Sequence, residues 1–65
     1  MSVGENIRKR REKLGMMQAQ LADKVGVTQS MICQIERGTK VPTLPLSMEI
    51  AAALQCDIQK LAGDL

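Results

Sequence analysis

The sequence predicts an all-α fold of five short helices, and three observations predict it. Through "MMQAQLADKVGVTQSMICQIERG", residues 16–38, apolar residues fall at a spacing that suits two short helices rather than one long one. Gly15, Gly26 and Gly38 punctuate that pattern as stop signals. Although 45% of the residues are apolar, Phe, Tyr and Trp are absent, so the core must be built from Leu, Ile, Val, Met and Ala, which favours closely spaced helices. No strand is expected.

The first helix runs from about Gly4 to Leu14, with Ile7, Arg11 and Leu14 on one stripe and Gly15 ending it. Gln18 to Val25 forms the second, turning Leu21, Ala22 and Val25 inward. Gly26 takes a turn conformation that a residue with a side chain enters only at a cost, and Val27 plugs the corner. Thr28 caps a third helix, Gln29 to Arg37, whose Ile32 and Ile35 face inward while Gln29, Ser30, Cys33, Gln34 and Arg37 face outward. Gly38 stops it. Thr39 to Pro42 is a loop, after which Thr43 caps a fourth helix, Leu44 to Leu54, with Pro45 tolerated in its first turn and Ile50, Ala51 and Leu54 facing the core. Asp57 caps a last helix, Ile58 to about Ala62, with Ile58 and Leu61 as its apolar contacts. Met16, Met17, Met31 and Met48 read as packing residues.

Sixty-five residues make a single domain, 1–65, that buries only about 60% of the surface its unfolded chain exposes, which argues against a large enclosed catalytic cavity. Cys33 and Cys56, without any histidine, are too few for a zinc site and form no redox pair, so they are expected as free thiols in a reduced, cytoplasmic protein. Cys56 reads as packing near a dimer contact, and Cys33 as a small tolerated residue rather than a redox sensor, since no basic side chain is evidently placed to lower its pKa. No metal and no cofactor are implied. No apolar run approaches the ~20 residues that span a bilayer, and there is no signal-peptide stretch. The net charge of +2 is unevenly spread: residues 1–40 carry eight basic and four acidic side chains, residues 41–65 one and three. Such a split suggests an anion-facing half and a second half with a different task.

The second and third helices, joined through Gly26, have the helix-turn-helix arrangement over residues 18–37, in which one helix crosses a DNA backbone and the next enters the major groove. Its constraints are steric. Ala22 is small where the helices cross, Gly26 makes the turn, and Leu21, Val25, Val27, Ile32 and Ile35 supply the apolar wedge. On these residues the chain resembles the phage-repressor, Cro and Xre class of helix-turn-helix regulators, from "IRKRREKLGMMQAQLADKVGVTQSMICQIERG" through "VPTLPLSMEIAAAL" to "DIQKLAG".

The resemblance implies a compact five-helix, lambda-repressor-like domain that binds double-stranded operator DNA as a two-fold homodimer. By the same resemblance, Gln18 holds a phosphate and braces the start of the recognition helix. Arg11 and Glu36 form a structural ion pair between the first helix and the end of the third. Gln29 suits a bidentate contact to adenine, with Ser30 and Gln34 beside it and Thr28 available to the backbone, a phosphate or a thymine methyl. Arg37, Thr39, Lys40, Arg10 and Lys9 are expected on phosphates, giving affinity and salt dependence rather than sequence information. For Arg8 and Lys13 the plainer reading, a solvated helix face, is kept. Val41, Ile58, Leu61 and Leu65 are expected at the dimer contact.

Function is therefore expected to be transcriptional regulation, as a small repressor or controller protein. The rival is an antitoxin or bridging module that uses the same fold to hold a protein partner. An enzyme fails on inventory, with no His, Tyr or carboxylate pair at a workable spacing. Single-stranded nucleic acid is a poor fit without aromatic platforms.

Overall fold

The computed structural model describes residues 2–62, which fold into five helices: α1 (Val3–Lys13), α2 (Gln18–Val25), α3 (Gln29–Arg37), α4 (Leu44–Ala53) and α5 (Ile58–Ala62). No described residue lies in a strand. Each of three helices starts where a hydroxyl side chain takes up an otherwise unpaired amide of the first turn: Ser2 on Glu5 N, Thr28 on Met31 N and Thr43 on Leu46 N. α2 begins differently, with the Gln20 side-chain carbonyl accepting from the Met17 amide at 2.8 Å.

The ends of α1, α2, α3 and α4 share one closure. At the α2–α3 corner Gly26 is left-handed (φ 73°), which lets the Val27 amide reach back to the Ala22 carbonyl at 3.0 Å and turns the chain sharply toward α3. α1 and α3 end the same way at Gly15 and Gly38. α4 stops at Ala53 rather than Leu54, and there the left-handed position is held by Gln55 (φ 58°), with Cys56 N on Ala51 O at 3.0 Å. Arg10 secures this strained turn from α1, its Nε donating to Leu54 O at 3.0 Å and its Nη2 to Gln55 O at 3.1 Å.

Ile7, Leu21, Ala22, Ile32, Ile35, Ile50, Ala51, Leu54 and Leu61 form one buried cluster drawn from all five helices. β-branched isoleucines with few rotamers and two alanines at close approaches replace the missing aromatics. Val25 and Val27 are half-buried against the cluster, as is Cys56. Leu14 departs from the expected stripe: α1 ends at Lys13, one residue early, and Leu14 is 37% exposed in the turn. No helix among the described residues is long and apolar enough to cross a membrane.

The Gln55 side chain is exposed and hydrogen-bonds no described residue, so its left-handed backbone is strained and is held by the Arg10 bonds to the turn. Gln55→Gly should raise the unfolding free energy by about 1 kcal/mol, less the extra chain entropy glycine brings to the unfolded state. Urea unfolding followed by circular dichroism checks this.

Candidate nucleic-acid interface

α3 is built to be held from behind and left open in front. Ile32 and Ile35 are fully sunk in the core, while Gln29, Ser30, Gln34 and Arg37 are exposed along its outer side. Gln34 Nε2 lies 3.4 Å from Ser30 Oγ, one turn away, so these two polar groups share an edge. Cys33, expected outward, is half-buried on the flank of that edge.

Glu36 is the one carboxylate on α3, and it is turned in and buried. Arg11 grips it with two prongs, Nε to Oε2 at 2.7 Å and Nη2 to Oε1 at 3.0 Å, and spends its Nη1 on Met16 O at 2.7 Å. Gln18 Nε2 adds a further donor to Glu36 Oε1 at 3.0 Å. One carboxylate thus joins α1, the α1–α2 turn, α2 and α3, and no buried side-chain nitrogen or oxygen among the described residues lacks a partner. The hydrogen bonds that Arg11 donates to the Glu36 carboxylate raise its pKa above the ordinary value, against the opposing effect of burial. Stability from such a raised group is full below its unfolded pKa and is lost only as pH climbs through the higher folded one. Arg11 therefore stays charged throughout the range in which the protein is handled.

The structure places the remaining expected residues unevenly. Arg37 and Lys40 are exposed at and just beyond the end of α3, and Thr28 is exposed while its Oγ1 accepts from the Met31 amide and caps the helix. Gln18 is a correction in part, since it braces the last turn of α3 through Glu36 and not the start. Arg10 is a second correction: two of its donors are committed to the α4–α5 turn, away from α3. Thr39 is exposed, and in the free protein its amide and its hydroxyl both donate to Gln34 O, at 3.0 and 3.1 Å, which makes it a cap on α3. Lys9 lines a groove with Asn6, Lys13 and Lys60, roughly 150° around α1 from the residues that face α3, so α1 does not bring it to the same edge.

The expected self-association residues also divide. Leu61 is 1% exposed and belongs to the core, reaching the surface only as part of the floor of an apolar groove. Leu65 lies outside the described residues. Val41 is 86% exposed, and Ile58 lines an apolar groove of about 380 Å³ together with Val3, Pro42, Leu44 and Ala62. Leu44 and Met48, 67% and 57% exposed on one stripe of α4, were not identified from sequence. The signal was present in the segment LPLSMEIAAA, which is apolar nearly all round and is therefore not satisfied by a single buried face.

Comparison with known proteins fits this architecture. The helix-turn-helix family profile matches residues 7–61. An uncharacterized HTH-type transcriptional regulator of Methanothermobacter thermautotrophicus is 46% identical over 48 residues, 74% of this chain and 70% of that protein. Repressor protein C2 of Salmonella phage P22 is 42% identical over 64 residues, 97% of this chain but only 30% of the repressor. A crystal structure of the P22 c2 repressor in complex with a synthetic operator superposes with a TM-score of 0.90 at 39% identity, covering 95% of this chain and 94% of that one. The restriction-modification controller protein C.AhdI of Aeromonas hydrophila gives 0.87 at 29% identity, covering 91% and 86%. The chain belongs to the helix-turn-helix family, in its Xre, Cro and C1-type branch.

Neutralising the buried carboxylate leaves Arg11 charged, desolvated and short of its counter-ion. Glu36→Gln should cost about 3 kcal/mol of stability, whereas replacing both partners with apolar residues of similar volume should cost much less. Equilibrium unfolding of the two variants separates these outcomes.

Proposed function

We propose that this helix-turn-helix protein is a sequence-specific double-stranded DNA-binding transcriptional regulator, a small repressor or controller, that lays α3 in the major groove of a palindromic operator as a homodimer. The observation that carries the reading is the outer edge of α3: Gln29, Ser30, Gln34 and Arg37 stand exposed there with no acidic side chain among them, because Glu36 is turned inward onto Arg11. The relatives solved on an operator give it support.

Each retained residue has a role matched to its chemistry. Gln29, at the helix start where base edges come nearest, offers an amide for the N6 and N7 of adenine, and Ser30 and Gln34 reach the neighbouring pairs. Thr28 presents its methyl to a thymine methyl or its remaining O–H to a phosphate. Gln18, with one N–H still available, joins Arg37 and Lys40 on the sugar-phosphate backbone. Lys9, Arg10 and Thr39 are left out of that set. Neither a cofactor nor a metal enters this scheme, and the protein acts in the cytoplasm where its DNA is. The apolar groove of Val3, Pro42, Leu44 and Ile58, with exposed Val41 next to it in the chain, is the surface we assign to the second copy of a two-fold dimer whose α3 helices would enter major grooves about one helical turn of DNA, or ~34 Å, apart.

Selection of bound duplexes from a random pool tests the readout. The wild type should enrich a palindrome, and Gln29→Ala should lose preference at one position in each half-site. Binding that is weak and blind to sequence would instead favour the protein-interaction module. For assembly, Leu44→Glu should leave the helical content intact, since Leu44 is exposed, while shifting the sedimentation mass to a monomer and weakening operator binding. A variant that sediments as the wild type does would place the contact elsewhere.

A further inference from the structure

We propose that Gly4 is a positioning residue for DNA recognition: together with the Arg11–Glu36 fork it gives α1 two separate holds on the last turn of α3, and these fix the direction in which α3 is presented. The inference rests on the DNA-binding reading above for its consequence, and on geometry alone for the two holds.

Gly4 is buried in the first turn of α1, whose start is set by the Ser2 cap. It has no left-handed backbone to explain it, and alanine is the better helix former, so the missing side chain serves space rather than conformation. A methyl group there would overlap the Ile35 carbonyl oxygen and stand 2.8 Å from that of Glu36. Both are backbone atoms of α3, unable to swing aside as the tip of a side chain does.

The second hold is the Arg11 fork on Glu36, in the same turn of α3. Gly4 and Arg11 are seven residues apart, roughly 10 Å along α1. One hold fixes a point; two at that separation fix an orientation. Gln29 lies a similar distance along α3 from Glu36, so a tilt of about 10° at the held turn would carry it by roughly 2 Å, beyond the tolerance of a base-edge hydrogen bond.

The test uses Gly4→Ala beside Ile50→Val, a core truncation on α4 outside the α1–α3 junction, at a temperature where circular dichroism shows both folded. Residual dipolar couplings of the free proteins read the α1–α3 angle, and binding to the selected operator and to random duplex reads its consequence. For Gly4→Ala we expect a changed angle, amide shift changes that extend to Thr28 and Gln29, and a preference for operator over random duplex lower by roughly tenfold, about the effect of one mismatched base pair. Its affinity for random duplex should stay within about twofold of wild type, because phosphate contacts tolerate small tilts. Ile50→Val should keep both the angle and the preference. An unchanged angle, or shift changes confined to the neighbourhood of residue 4, overturns the proposal, as does a Gly4→Ala protein with full preference. If Gly4→Ala does not fold, Arg11→Lys cuts the other hold while keeping the charge, and the same readouts decide. A wild type with no preference for any duplex would count against the DNA reading, and the dipolar couplings would still judge the two holds.

Discussion

A buried carboxylate, Glu36, organises this small molecule. Arg11 from α1 and Gln18 from α2 both donate to it, and Arg11 also reaches the Met16 carbonyl in the turn between those helices. Burying an ion pair is costly and is a poor way to gain stability, since apolar residues of equal volume often do as well. What the pair provides is directional: carboxylate and guanidinium meet in one planar geometry, whereas apolar contact is non-directional. A core without aromatic rings is smooth in this sense, and the polar lock supplies the register that its shape does not.

The same residue decides the electrostatics of the outer surface. If Glu36 pointed outward, α3 would carry a carboxylate beside Arg37 and repel any phosphate that approached. Turned inward, it leaves an edge of amides, a hydroxyl and one guanidinium. Structural order and the lack of a carboxylate on the outer edge therefore come from one side chain, in a chain whose helix-turn-helix neighbours include the P22 c2 repressor solved with a synthetic operator.

Much of this was legible in the sequence, and the limits have physical reasons. The bounds of α2 and α3 followed from capping and stop residues that act locally: Thr28, Gly26 and Gly38. Arg11 was identifiable as inward because a charge sits on an otherwise apolar stripe. α4 overran by one residue because its stop is Gln55, a residue type that carries no stop signal. The structural bonds of Arg10 and Thr39 were not legible, since a cation or hydroxyl near the recognition helix looks fully available until the carbonyl it bonds is seen, and those carbonyls belong to the α4–α5 turn and to Gln34. Leu61, expected both as an apolar contact of the last helix and at the dimer contact, is buried, whereas Leu44, expected only as the start of a helix, is exposed. Both are leucines on short apolar helices, and only packing against the other helices distinguishes the buried one from the exposed one.

One quiet contact shapes how the domain would be carried. Asn6 Nδ2 donates to Leu61 O at 2.7 Å, stitching α1 to the last turn of α5 on the flank of α1 opposite Gly4 and Arg11. Because α5 packs chiefly on α1 and α4, a load borne at its end would pull on those helices and not directly on α3. In the P22 repressor the region matched by this chain is 30% of the protein.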